Sequence, residues 1–157
     1  MKDILFVCTA NTCRSFLAEY LMEKFSKEGD VDLRVHSAGI FAVEDDEPVE
    51  EAVEVLEEIY DIDGSKHRAS PMTEELSEES DCILTMDMDL KHTLMEAYPD
   101  AEDKIYTLME YAYGVDGLDG VLDIEDPYRG DEEDYARCAS IIVDALRQIL
   151  LHHGEEA

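Results

Sequence analysis

Short apolar runs alternate with amphipathic stretches along the chain. Ile4-Leu5-Phe6-Val7 is uninterrupted, as a strand buried on both faces of a sheet requires. Phe16, Leu17, Tyr20, Leu21 and Phe25 then recur at helical spacing, which predicts a helix with one buried stripe. Residues 34–37 predict a second strand, ended by Gly39. Pro48 opens a second helix that puts Val49, Ala52, Val53, Leu56 and Ile59 on one face. Thr73-Glu74-Glu75 reads as a further helix start. Residues 82–86 predict a third strand, followed by a helix to about residue 97, and residues 104–108 predict a fourth. A Gly- and Asp-rich loop covers about 114–130. The closing helix places Tyr135, Cys138, Ile141, Ile142, Ala145, Leu146 and Ile149 on its buried face. Strands alternating with helices imply an α/β fold of three layers, a four-stranded parallel sheet with helices on both faces. Residues 1–157 read as one domain. In such sheets ligands bind beyond the carboxyl ends of the strands, which directs attention to the loop after the first strand and the long loop after the fourth.

Composition changes this picture in one respect. The 157 residues include 12 basic and 41 acidic side chains, a net charge of −29, where a small domain more usually carries roughly 2–8 in magnitude. That excess excludes a general nucleic-acid binder or an anionic-membrane binder, both of which need a basic face. The apolar runs are far too short to span a membrane, and the N-terminus is too short for a signal peptide, so the expected location is the cytoplasm. The four cysteines, Cys8, Cys13, Cys82 and Cys138, are then expected to be reduced. They form no CxxC pair and no Cys/His cluster of zinc spacing, so neither a metal nor another cofactor is expected. Cys82 and Cys138 fall on apolar faces and read as core. The acidity itself fits either a host with a salty interior or an ordinary soluble protein with solvated helix faces.

Against that background the first loop stands out. No residue from Ile4 through Cys13 is charged, and residues 1–17 carry only Lys2, Asp3 and Arg14. The segment Cys8-Thr9-Ala10-Asn11-Thr12-Cys13-Arg14-Ser15 runs from a strand end into a helix. A loop of this kind can turn successive backbone N–H groups inward as an anion nest, and the helix start adds the positive end of its dipole. Arg14 supplies a planar fork for two phosphate oxygens. Cys8 would lie at the bottom of the nest, where the same donors favour a thiolate. Ser15 can donate to that sulfur. The sum is a nucleophilic sulfur beneath a bound phosphoryl group. The leaving group then needs an acid, and the second loop offers Asp126, held in a stiff extended segment by Pro127 and followed by Tyr128.

These motifs resemble the low-molecular-weight protein tyrosine phosphatase family, and within it the bacterial protein arginine phosphatases. The resemblance covers essentially the whole chain, through Val7-Cys8-Thr9 and Asn11-Thr12-Cys13-Arg14-Ser15, Ser37-Ala38-Gly39, His67-Arg68-Ala69, Ser80-Asp81 and Ile124-Glu125-Asp126-Pro127-Tyr128. It implies a small Rossmann-like fold and hydrolysis of phosphorylated proteins through a phosphocysteine intermediate, without a cofactor or a metal, by a monomer. It implies Cys8 as nucleophile, Arg14 as phosphate ligand and Asp126 as general acid and then base. Thr9 to Ser15 match the phosphate-binding loop, and Asn11, Ser15, Ser37 and His67 match a network that holds it in shape. Cys13 matches a second loop cysteine that can trap an oxidised Cys8 as a disulfide. In two places the chain departs from the pattern. Ala10 stands where glycine is usual, which costs about 1 kcal/mol or more if φ must be positive there, and Phe16 stands where many bacterial members have proline.

Thr12 bears on the substrate. Tyrosine-specific members resemble one another in having an aliphatic residue here, whereas arginine phosphatases have Thr, which points to phosphoarginine with phosphotyrosine as the alternative. Phe41 and Tyr128 are expected as aromatic walls, which suit a phenol or a guanidinium plane equally. Arsenate reductases of the same fold need a further cysteine pair after the third strand, and Thr85-Met86-Asp87-Met88-Asp89 has none. A non-catalytic phosphate-binding module would be expected to lack Cys8, Arg14 or Asp126, and all three are present. The acids crowd residues 44–51, 74–81 and 123–134, so their field repels phosphorylated substrates at low ionic strength. Initial rates on a phosphorylated substrate are therefore expected to rise from low to molar salt as this repulsion is screened. A flat profile would make the acid excess a bystander.

Overall fold

A computed structural model describes residues 2–156, with side chains described up to residue 153. Its sheet has four strands, all parallel: β1 (Lys2–Cys8), β2 (Leu33–Gly39), β3 (Cys82–Thr85) and β4 (Ile105–Thr107), in the order β2-β1-β3-β4. The helices are α1 (Arg14–Glu28), α2 (Glu50–Tyr60), α3 (Glu74–Glu79), α4 (Met88–Ala97), α5 (Leu108–Tyr113) and α6 (Glu132–Glu156).

β1 explains the two faces. Its side chains alternate, so Ile4, Phe6 and Cys8 join one buried cluster with Phe16, Leu17 and Leu21 of α1 and Ile142 and Leu146 of α6. Leu5 and Val7 join a second cluster with Ala38, Ile83, Leu94 and Ile105. An uninterrupted apolar run is thus the mark of a central strand covered on both sides. β1 pairs with β2 on one edge and β3 on the other. The strand order reverses there, so the carboxyl end of β1, which is Cys8, lies where such sheets open a crevice.

The expected strands and helices are all present, with some corrections. The fourth strand was expected to reach residue 108, but it ends at Thr107, and the short helix α5 follows. A reciprocal pair of bonds makes the turn: Thr107 Oγ1 accepts from the Glu110 N–H and Glu110 accepts from the Thr107 N–H, a capping box written in the sequence as Thr-x-x-Glu. α2 starts at Glu50, two residues after Pro48. Ile59 is not on the buried face of α2. It is 56% exposed, because Val55 and Leu56 are buried and Tyr60 packs against the core, which turns Ile59 outward. Ile141 is likewise 38% exposed, because it faces a surface groove beside the Asp126–Tyr128 loop rather than the core.

Gly39 closes β2 against the first loop. A Cβ added here would lie 2.7 Å from the Thr9 carbonyl oxygen and 2.8 Å from Ala10 C and Asn11 N. These are backbone atoms that cannot yield without moving the loop. Gly39→Ala is expected to cost about 1–3 kcal/mol, as overpacking does, and to lower the melting temperature in thermal unfolding. An unchanged melting temperature would show that the loop relaxes freely at this contact.

Candidate active site

Five residues link Cys8 at the end of β1 to Arg14 at the start of α1. The chain reverses through Asn11, which is left-handed at φ 59°, a conformation asparagine tolerates better than most residues. Ala10 is not among the positive-φ residues, so alanine carries no conformational cost there and the expected strain does not arise. Every polar group of the Asn11 side chain is used. Its Nδ2 donates to Ser15 Oγ and to Ser37 Oγ, both at 2.8 Å, and its Oδ1 accepts from the Ser70 N–H at 2.9 Å. The Asn11 carbonyl accepts from His67 Nε2 at 2.8 Å, which fixes the Nε2-protonated tautomer of that ring. The loop is also tied from outside: the Ile40, Phe41 and Val49 N–H groups donate to the carbonyls of Cys8, Thr9 and Thr12. The N–H groups of Ala10, Thr12 and Cys13, by contrast, donate to no described residue. The carbonyls are thereby turned out and engaged, while donors remain for an anion.

Cys8 Sγ sits 2.9 Å from Ser15 Oγ and 3.3 Å from the Asn11 N–H that donates to it. Both groups can donate to a thiolate. Behind them Ser37 Oγ donates to Glu19 Oε1 in a short bond. Burial pushes the Glu19 carboxyl up to about 7, against the opposing hydrogen bond from Ser37 and with help from nearby Glu23. His67 Nδ1 lies 4.0 Å from the same carboxylate, but burial lowers the His67 pKa, so at neutral pH the contact is not an ion pair. The ring is clamped by stacking on Phe16, with centroids 4.6 Å apart, and by an edge contact with Tyr20. Phe16 thus supplies the face against which the loop-supporting histidine rests.

The buried Arg14 reaches across to the second loop. Its Nη1 donates to Asp87 Oδ2 at 3.0 Å and to the Ile124 carbonyl at 2.9 Å, and Nη2 lies 3.9 Å from Asp126 Oδ2. Burial alone would lower its pKa, but Asp87, Cys8 and Asp126 outweigh that and hold it above its ordinary value. The guanidinium is charged throughout the working range. Asp126, 48% exposed at its side chain, is steadied by its own turn: Oδ1 accepts from the Tyr128 N–H. The residues before it are pinned by the Ile124 N–H to the Met86 carbonyl and by the Met88 N–H to Asp123.

Between the two loops lies a cavity of about 130 Å³, lined by Cys8, Thr9, Ala10, Thr12, Cys13, Arg14, Val49, Asp126, Tyr128 and Tyr135. Thr12 lines it, and its hydroxyl bonds to no described residue. Phe41, expected as a wall, is not part of the lining. It is 74% exposed beside the loop, because its backbone rather than its ring makes the contact with Thr9. Tyr135 and Val49 take that place. A concave site with free N–H donors, a fixed guanidinium, a sulfur at its floor and a carboxyl at its rim is built to hold a tetrahedral anion and act on it. Among the described residues no group of His, Cys, Asp or Glu has the arrangement of a metal site, and no helix is long and apolar enough to cross a membrane.

The sequence pattern of the low molecular weight phosphotyrosine protein phosphatase family matches residues 3–156. The chain belongs to this family. It is similar to a protein-arginine-phosphatase of Bacillus subtilis, 36% identical over 94% of this chain and 93% of that one. It is also similar to one of Geobacillus stearothermophilus, 39% identical over 84% and 82%. Among solved structures, a YwlE arginine phosphatase carrying a phosphorylated serine in place of its active-site cysteine aligns with a TM-score of 0.87 at 36% identity, over 94% of this chain and 92% of that one. The protein is a cysteine-dependent protein phosphatase.

The phosphatase site contains residues that motif reading misses. Asp87 is one; a buried arginine calls for a carboxylate partner, but nothing in the sequence says which of 41 acids it is. Glu19 is another, and its spacing on α1, four residues after Ser15, is the available signal. Its elevated pKa has a measurable consequence. Between its unfolded value of 4.5 and the folded value near 7, the native state keeps a proton that the unfolded chain has lost. Stability therefore falls as pH rises through this window, by up to about 3 kcal/mol, and levels off above it. Glu19→Gln, which keeps the neutral shape, is expected to gain stability over wild type at pH 8 but much less at pH 5 in urea unfolding. An equal difference at both values would mean that Glu19 ionises like an exposed carboxyl.

Proposed function

We propose that the phosphatase acts on phosphoarginine in proteins, with Cys8 as nucleophile, Arg14 as phosphate ligand and Asp126 as general acid and base. The observation that carries the substrate reading is Thr12, which lines the same cavity as Asp126 and whose hydroxyl bonds to no described residue. A polar hydroxyl and a carboxylate in one cavity suit a cationic guanidinium better than an apolar ring, and the two relatives named above as arginine phosphatases support the reading.

The steps follow from the positions of the groups. The phosphoryl oxygens take the donors of the Thr9 to Ser15 loop and the Arg14 fork. The Cys8 thiolate, supported by Ser15 Oγ and the Asn11 N–H, attacks phosphorus, and the P–N bond to arginine breaks. Asp126 gives its proton to the departing nitrogen. With the arginine gone, Asp126 takes a proton from a water that attacks the phosphocysteine. Phosphate leaves and the thiolate returns. Ser15 can donate to the sulfur as it leaves.

The alternative substrate, phosphotyrosine, has its own supporting observation: Tyr128 and Tyr135 both line the cavity and would flank a phenol ring. Matched peptides decide between them. Wild type is expected to hydrolyse phosphoarginine peptides faster than phosphotyrosine peptides, and Thr12→Ile is expected to shift the ratio of kcat/KM towards phosphotyrosine by about tenfold, the effect of one polar contact in a closed site. A wild-type preference for phosphotyrosine, or a ratio that Thr12→Ile leaves unchanged, would overturn the arginine assignment.

A further inference from the structure

A second concavity, a groove of about 290 Å³, lies beside the active-site cavity. One wall is the second loop around Pro127 and Tyr128. The other is α6, where Asp134, Arg137, Cys138 and Ile141 line the groove. Their spacing, each three or four residues from the next, puts all four on one helix face. Both walls are held in shape. The Gly130 N–H donates to the Pro127 carbonyl at 2.6 Å. The Asp134 carboxylate accepts from the Asp131 N–H on one oxygen and from Arg137 Nη1 on the other, both at 3.0 Å. A Cβ on Gly130 would lie 2.6 Å from Asp134 Oδ2, so the loop packs directly against α6 there.

The chemistry of the groove is mixed. Asp134 and Arg137 neutralise each other. Cys138 is buried, while Tyr128 is 69% and Ile141 38% exposed. A single exposed apolar side chain is ordinary on a protein surface. Ile141, Pro127 and Tyr128 instead share one concavity, and that concavity begins where the active site ends. Asp126 and Tyr128 line both the groove and the cavity above Cys8.

We infer that this groove is a subsite for the substrate polypeptide, and that it takes an aliphatic side chain close in sequence to the phosphorylated residue. The inference rests on the reading of the Cys8 cavity as the site where a phosphorylated protein is hydrolysed. A phosphorylated side chain in a protein arrives with its neighbours, and a chain that leaves the cavity past Asp126 and Tyr128 meets the groove next. An aliphatic side chain seated there removes its own apolar surface from water together with that of Tyr128 and Ile141. A carboxylate side chain would instead meet Glu125 and Asp126, which also line the groove, and is repelled. Ile141 is then a specificity-determining residue, although it lies fifteen positions beyond Asp126 and touches no reacting atom.

Two peptide series test the subsite, one carrying phosphoarginine and one phosphotyrosine, with the same flanks. Each places a single Leu, Ala, Lys or Glu at each of the two positions on either side of the phosphorylated residue. para-Nitrophenyl phosphate, which has no flanking residues, serves as the small substrate. At one of these positions wild type is expected to prefer Leu over Ala by about tenfold in kcat/KM, the discrimination of a modest apolar pocket. The preference is expected to persist from low to molar salt, because an apolar contact is not screened. Ile141→Ser and Ile141→Ala are both expected to reduce it below about twofold while keeping the wild-type rate on para-nitrophenyl phosphate. A Leu preference confined to the phosphotyrosine series would count against the arginine reading and support the subsite. Equal rates for Leu and Ala at every position would overturn the subsite. So would a preference for Lys at the position in question, which would assign the groove to its carboxylates, or a Leu preference that both Ile141 variants retain.

Discussion

Between Cys8 and Arg14 the chain must reverse while its N–H groups point inward, and it manages this through one residue with a positive φ. Asn11 takes the left-handed turn, and three side-chain hydrogen bonds and one at its carbonyl hold it there. Most of the described site depends on that turn. Ser15 is oriented by Asn11 and in turn touches Cys8. Ser37 bridges Asn11 to Glu19, and His67 is needed because the Asn11 carbonyl, turned away from the anion site, must find a donor in a buried place. Gly39 lacks a side chain because the same turn passes within contact of β2. A network of this kind holds its shape only when each member is satisfied, and no described buried side-chain nitrogen or oxygen lacks a partner.

Arg14 joins this rigid half to the second loop. Its bonds to Asp87 at the start of α4 and to the Ile124 carbonyl make one guanidinium the meeting point of three segments separated by 73 and 110 residues. The carboxyl rim of the site is therefore positioned through the arginine that the anion will contact. This economy carries a constraint: lysine, a point charge without a planar fork, cannot keep Asp87, the carbonyl and an anion in one plane.

The sequence made the sheet and the first loop legible because each left a local mark. β1 is an unbroken apolar run, α1 and α6 are periodic, and the loop is an uncharged window ending in arginine. The parts that stayed hidden are those decided by tertiary packing. Ile59 and Ile141 obey the helical period yet are exposed, since a period groups residues on a broad face and does not say which of them, Val55 and Tyr60 rather than Ile59, meet the core. The capping box of Thr107 and Glu110 is a local signal, but the apolar pattern of residues 104–108 runs on through it and hides the strand end at Thr107. Phe41 lies in the right loop, but its backbone faces the site and its ring does not. Asp87 and Tyr135 reach the site from α4's start and from α6, where no motif marks them. Cys138 follows the apolar pattern of its helix and is buried, as that pattern implies.

The same distinction resolves the oddity of an anion site in a protein of charge −29. The cradle is made of backbone N–H groups and one buried guanidinium, and it acts at hydrogen-bond distance, where a surrounding ionic atmosphere has no room to intervene. The acids sit mainly on exposed surface, as at residues 44–47 and 74–75, and act through solvent over roughly the Debye length of 8–10 Å. Attraction and repulsion thus operate at different ranges. An acidic surface can be tolerated because the donors that bind phosphate are fixed by Asn11, Gly39 and the strand-to-helix turn, not by a basic patch that composition would have shown. For a substrate protein whose surface is basic, the long-range term changes sign and assists approach, while the short-range cradle remains the same.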